Sequence, residues 1–162
     1  MIHGLDPLDL ADLKGLRQTI ASWGYLPPRL VQFYQGKTVV REIVRLQAEQ
    51  PEARFLIFGY SAGAQTTSWV INQLHDHHGI DVNTVVYAAG ITLVDVERSR
   101  PAYIGKIIHI RDGGRIIPGM ELTGAENYRF TDVKHYGSPT HPNTLTILKD
   151  ELHRLSSASN VD

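Results

Sequence analysis

The stretch FLIFGYSAGAQ, residues 55–65, constrains the fold more than any other part of this chain. An apolar run typical of a buried strand ends at a turn of small residues, and a segment with helical spacing follows directly. A strand that passes into a helix within a few residues brings the two backbones close together, so only residues without bulk fit at the crossing. Gly59 and Gly63 provide that room. The stretch therefore predicts a tight strand–turn–helix unit with Ser61 at its apex.

Strand-like and helix-like segments alternate along most of the chain. The periodicity predicts helices over 8–23, about 38–50, 62–78 and from Pro142 onward, with strands at RLVQFYQ, ARFLIFG, NTVVYAAG and KIIHIRD and an edge strand at NYRFTDVKHY. Parallel strands need crossover helices to return the chain. We therefore expect an α/β fold, a three-layer sandwich with a mostly parallel sheet and helices on both faces. It would form one domain over 1–155, followed by a flexible tail over 156–162.

Charge and composition exclude several classes of function. The chain has 162 residues, with 16 Lys and Arg against 17 Asp and Glu, so it offers no broad basic surface for nucleic acid. It has no cysteine, and therefore no disulfide framework and no thiolate metal site. No apolar run approaches membrane-spanning length, and three Asp residues stand near the start where a signal peptide would be apolar. We expect a soluble, cytoplasmic protein.

The predicted turn would give Ser61 chemical properties that an ordinary surface serine lacks. A residue at such an apex adopts a sparsely populated backbone geometry, and its hydroxyl projects above the sheet. The following helix directs its free N–H groups at the same point, where the N–H of Ala62 is a candidate donor to an oxyanion. The motif G-x-S-x-G, placed between a strand and a helix, resembles the serine turn of the α/β-hydrolase family. GYSAGA is most similar to the turn of lipases, esterases and cutinase-like enzymes.

The resemblance implies two partners for Ser61, which follow it along the chain in the order acid, then histidine. Asp112 ends the strand KIIHIRD and is the predicted acid. Asp95, after the preceding strand, is the rival, because some members of the family carry the acid there. The alternative role for Asp112 is to form a turn before two glycines.

His141 is the predicted base. It lies in the loop YGSPTHPNT after the last predicted strand, where Pro142 holds it in an extended conformation and begins the final helix. His135 ranks second because it falls within the predicted edge strand, and His109 is interpreted as a strand residue without a catalytic part. Alternatively, His141 only occupies the start of a helix.

A second oxyanion donor is predicted near the start of the chain. MIHGLDP resembles the family's His-Gly-apolar stretch, which nominates the backbone N–H of Leu5, with Gly4 allowing close approach. Only Met1, Ile2 and His3 are available as strand residues before this loop, so the fold is expected to be short at its N-terminus.

Two other motifs do not support a cofactor or a metal. In HDHHG, His75 and His78 share a helical face, but the cluster lies at a helix C-terminus, where such residues suit the dipole. QGKT resembles the end of a phosphate-binding loop, but Val31 stands where that loop requires glycine. We predict no cofactor and no metal.

The leading hypothesis is a serine hydrolase that cleaves a carboxylic ester or a thioester through an acyl-enzyme on Ser61. Only about 15 residues separate Gly90 from Lys106, where relatives often carry a lid, so we expect a lid-less, open site for small-molecule esters that are soluble or presented at a surface. The alternative is a non-catalytic binding or assembly module that retains the hydrolase fold, which the short N-terminus favours. The sequence does not determine the oligomeric state; an unpaired edge strand would favour a homodimer.

Overall fold

The computed structural model describes residues 1–3, 6, 9–89, 101–113 and 121–157. These residues contain one sheet in which all strand pairs are parallel, in the order β2-β1-β3-β4-β5-β6. The strands are β1 (Ile2–His3), β2 (Val31–Gln32), β3 (Leu56–Tyr60), β4 (Val82–Ala88), β5 (Ile104–Asp112) and β6 (Glu126–Phe130). The α-helices are α1 (Leu13–Ser22), α2 (Gly36–Glu49), α3 (Gly63–His78) and α4 (Pro142–Ser157). The predicted α/β fold is confirmed.

Helices cover both faces of the sheet, and each face has its own hydrophobic core. The core on one face contains buried residues of α2 and α3, among them Ile43, Val70 and Leu74. The core on the other face contains Leu16 of α1 and Leu148 of α4. Alternating strand residues such as Val85 and Val86 point into opposite cores. This arrangement gives the three layers that the sequence predicts.

The order of the strands changes direction between β1 and β3. From β1 the chain crosses through α1 to β2 on one side, and from β3 it crosses through α3 to β4 on the other side. Helices α1 and α3 lie on opposite faces of the sheet, so β1 and β3 are the adjacent strands at which the direction of the crossovers changes. In open α/β sheets ligands bind at such a switch point. Ser61 follows β3 at this position.

Some element boundaries differ from those predicted. Helix α1 begins at Leu13 because Asp12, with a left-handed φ of 49°, caps it by accepting from the N–H of Gly15. Strand β2 has two residues and passes into a 3₁₀ helix over Phe33–Gln35. Strand β6 ends at Phe130, well before His135. Helix α4 continues to Ser157, and the rest of the predicted tail, 158–162, lies outside the described residues.

Within the described part of the chain, no helix combines the length and the apolar character needed to cross a bilayer.

Candidate active site

Ser61 occupies the tight turn that the sequence predicts. Its φ is 52°, in the left-handed region that residues with a side chain rarely adopt, and its N–H donates to the carbonyl of Ala88 at 3.1 Å. A Cβ atom on Gly59 would lie 2.4 Å from Oγ1 of Thr67, and one on Gly63 would lie 2.2 Å from the carbonyl oxygen of Ile2. Both glycines are therefore required by close approach of neighbouring elements, as predicted.

The start of α3 places backbone N–H groups beside Ser61. Ala62 is the residue immediately before the helix, and its N–H has no acceptor among the residues that the structure describes. Ala64 donates back to the carbonyl of Ser61 at 3.0 Å, which closes the turn. The 16-residue helix adds the positive end of its dipole at this point. An anion that formed next to the Ser61 hydroxyl would meet a free N–H donor.

Two adjacent strands bring Asp112 and His135 together. Asp112 ends β5 and is paired in register with Phe130, which ends β6, so the chain leaves both strands at the same edge. A Cβ atom on Gly113 would lie 2.5 Å from the carbonyl oxygen of Thr131, and the Gly113 N–H donates to Val133 at 3.0 Å. The segment that leads to His135 therefore packs directly against the residue after Asp112.

The side chains of Ser61, His135 and Asp112 form a continuous hydrogen-bonded chain. The distance from Ser61 Oγ to His135 Nε2 is 3.1 Å, and His135 Nδ1 lies 3.1 Å from Asp112 Oδ2. A carboxylate only accepts hydrogen bonds, so Nδ1 carries the proton in the neutral ring and Nε2 accepts from the serine hydroxyl. Asp112 is buried, whereas the His135 side chain is 27% exposed. A serine in such a chain can pass its proton to the imidazole as it attacks an electrophile.

The prediction that His141 contacts Ser61 is wrong. His141 Nε2 pairs with Asp132 at 3.3 Å, and Nδ1 accepts from the backbone N–H of Asn143 at 3.3 Å. Its ring is stacked on Phe130 with centroids 4.6 Å apart. Both ring nitrogens are thus engaged at the start of α4, which is the alternative role considered for this residue. The imidazole beside Ser61 belongs to His135, the second-ranked candidate.

The error came from the predicted length of the last strand. Alternating polar and apolar residues continue through NYRFTDVKHY, but β6 ends at Phe130 and His135 lies in a 3₁₀ helix over His135–Gly137. Two signals in the sequence favoured an earlier end. Thr131 and Asp132 are typical of turns, and Gly137 marks a second turn immediately after His135.

The remaining predicted residues have different outcomes. Leu5, the second predicted oxyanion donor, and Asp95, the rival acid, both lie outside the described residues. His109 is a buried residue of β5 whose Nδ1 lies 3.1 Å from the side-chain oxygen of Asn127, and burial lowers the pKa of its imidazole. In the described ranges, no group of three or more His, Cys, Asp or Glu side chains is arranged to hold a metal ion.

Two tyrosines border the His135 ring. The Tyr60 ring packs against it with centroids 5.2 Å apart, and the Tyr136 ring meets it edge-on at 5.5 Å. Tyr60 is 1% exposed. Burial raises the pKa of its phenol well above the ordinary value, and the nearby Asp6, Tyr136 and Asp112 act in the same direction. The phenol therefore keeps its proton and remains a hydrogen-bond donor.

Comparison of the sequence with protein-family models and with curated proteins finds no match.

Proposed function

We propose that this chain is a serine hydrolase that cleaves a carboxylic ester or a thioester through an acyl-enzyme on Ser61. The observation that carries the proposal is the hydrogen-bonded chain from Ser61 through His135 to Asp112. The strained turn at Ser61 and the N–H of Ala62, which has no acceptor among the described residues, support it further. The resemblance of GYSAGA to the serine turn of α/β-hydrolases is consistent with the same chemistry.

The proposed reaction has two halves. In the first, Ser61 Oγ attacks the acyl carbon while His135 Nε2 takes the hydroxyl proton, and the Ala62 N–H donates to the oxyanion. The bond to the leaving alcohol or thiol then breaks, and His135 returns the proton to that group. In the second half, water attacks the acyl-enzyme with His135 again as the base, which releases the acid and restores Ser61. Asp112 orients the imidazole and stabilises its charged form.

The substrate class and location remain predictions from the sequence. We propose small-molecule esters, soluble or presented at a surface, because of the short interval that follows Gly90, and a cytoplasmic location. Turnover of p-nitrophenyl acetate and butyrate should exceed turnover of the palmitate. Leu5 stays the candidate for the second oxyanion donor.

A fluorophosphonate probe tests the proposal directly. The wild-type chain should be labelled on Ser61 and should hydrolyse p-nitrophenyl butyrate, and Ser61→Ala should lose both properties. Ser68→Ala is the matched control, because Ser68 lies in α3 and its hydroxyl pairs with Tyr87 at 2.9 Å instead of with an imidazole. If the folded wild type is neither labelled nor active on ester or thioester substrates, the non-catalytic module is the better interpretation.

A further inference from the structure

The backbone carbonyl of His135 is held by buried hydroxyl groups that the proposed chemistry does not use. Ser138 donates to it through Oγ at 3.0 Å, and the Ser138 backbone N–H lies 3.4 Å from the same oxygen. The Tyr60 hydroxyl approaches this oxygen at 3.4 Å from β3. The residue whose ring contacts Ser61 is thus fixed at its main chain as well as through its ring nitrogens.

A second buried hydroxyl connects this turn to α4. Thr144, in the first turn of the helix, donates from Oγ1 to the carbonyl of Ser138 at 2.7 Å. Ser138 and Thr144 are both fully buried, with 0% exposure. Burying a hydroxyl is unfavourable unless it is hydrogen-bonded, and here each one bonds to the turn that carries the imidazole. An apolar residue of the same size would fill the space without fixing the turn.

We propose that Ser138 and Thr144 are positioning residues for His135, with the Tyr60 ring as the surface against which the imidazole rests. The hydroxyl of Thr144 fixes Ser138, and Ser138 fixes the carbonyl of His135. Helix α4 and strand β3 together set the position of the ring between Ser61 and Asp112. The catalytic part of this inference rests on the proposed function, whereas the positioning of the ring does not.

Geometry explains why such a fixed turn matters for this site. The 3₁₀ helix that contains His135 has only three residues, so its position depends on contacts with other elements. The ring must keep two contacts of 3.1 Å at once, one on each nitrogen. A displacement on the order of 1 Å breaks such an alignment and lowers the rate by up to about 100-fold. A loss of positioning therefore lowers kcat and leaves KM nearly unchanged.

The test compares Thr144→Val with Thr144→Ser. Valine keeps the shape and removes the hydroxyl, whereas serine keeps the hydroxyl and removes a methyl group. The first measurement needs no substrate: ring ¹⁵N chemical shifts of His135 report its tautomer and the exchange between conformers. We expect Thr144→Val and Ser138→Ala to average the two ring signals, and Thr144→Ser to retain the wild-type pattern. Wild-type ring shifts in Thr144→Val would overturn the proposal.

The second measurement is kcat per folded molecule, at a temperature where each variant is fully folded. Thr144→Val should lower kcat about 10-fold, with KM within about two-fold of the wild-type value, and Thr144→Ser should restore kcat. Equal kcat values in Thr144→Val and the wild type would overturn the catalytic part of the inference. If the wild type is neither labelled nor active on ester or thioester substrates, the proposed function fails, and the ring shifts alone decide the positioning role.

Discussion

Polar networks lie at both ends of the sheet, and they differ in how their charges are balanced. At the carboxyl edge, the Asp112 carboxylate pairs with an imidazole that also contacts Ser61. At the amino edge, the buried carboxylate of Glu151 accepts hydrogen bonds from Arg154 at 2.6 Å and from the hydroxyl of Thr84. It also forms an ion pair with Lys106 at 3.3 Å. A carboxylate that is paired with permanent cations has no proton to exchange near neutral pH.

The two networks also differ in their backbones. Thr84 and Lys106 lie within regular strands, and Glu151 and Arg154 lie one turn apart in α4. Ser61, by contrast, has a φ of 52°, which is strained for a residue with a side chain. Buried polar groups alone therefore do not indicate chemistry. A partly exposed imidazole beside a strained hydroxyl makes the Ser61 network the candidate reactive site, whereas the Glu151 carboxylate, paired with Arg154 and Lys106, has a structural role.

The largest expected effect is on kcat, and it should distinguish His135 from His141. His135→Ala should reduce the kcat for p-nitrophenyl butyrate by about 10⁶-fold, because Ser61 then has no base. His141→Ala should leave kcat within about three-fold of the wild-type value, since both of its ring nitrogens are engaged elsewhere. Steady-state kinetics check both. A larger loss of kcat in His141→Ala than in His135→Ala would identify His141 as the base, as the sequence predicted.

Carboxylate-to-amide substitutions in the two networks should affect different properties, kcat in one and stability in the other. Asp112→Asn should lower kcat by about 10⁴-fold, because the amide does not favour the required tautomer. Glu151→Gln should lower the free energy of unfolding by about 2 kcal/mol, because the buried amide accepts weaker hydrogen bonds from the partly exposed Arg154 and Lys106 than the carboxylate does, and should leave kcat nearly unchanged. Asp150→Asn, at the exposed neighbouring position, is the control for charge removal in α4. Urea denaturation and kinetics on the same preparations measure both effects.

The amino-edge network also predicts how stability depends on pH. Burial alone would raise the pKa of Glu151, but hydrogen bonds from Arg154 and Thr84 and the charge of Lys106 lower it to about 2. The lowered pKa contributes stability that is fully present above the unfolded value, near 4.5, and is lost as the pH falls toward 2.

The wild type should therefore lose more stability than Glu151→Gln across this window, by at most about 1.4 kcal/mol per pH unit. Equilibrium unfolding at pH 5, 4 and 3 gives the difference between the two proteins. Parallel curves for the two proteins would contradict the assigned role of Glu151.

The smallest predicted effect is a difference in stability that reports the backbone strain at Ser61. Ser61→Gly should be more stable than Ser61→Ala by about 0.5–1 kcal/mol, because both lose the hydroxyl but only glycine accepts the left-handed φ without strain. In the middle of α3 the sign should reverse: Ser68→Gly should be less stable than Ser68→Ala by about 1 kcal/mol. Thermal unfolding of the four variants checks the comparison. Equal stability of the two Ser61 variants would mean that the turn is not strained.

The sequence by itself determined the class of fold and the nature of the turn at Ser61. Both follow from local patterns: periodicity separates strands from helices, and small residues on either side of Ser61 leave room for a close crossing. The prediction that Asp112 ends a strand was likewise local, since KIIHIRD is a short segment with three isoleucines that stops before two glycines.

The tertiary structure decided which imidazole meets Ser61. Local alternation did not distinguish the end of β6 at Phe130 from an end at Tyr136, because an edge strand is specified by its pairing as much as by its own residues. The parallel register of Asp112 with Phe130, and the close packing of Gly113 against Thr131, bring His135 next to the acid. Contacts between residues far apart in sequence set that choice, and no local pattern records them.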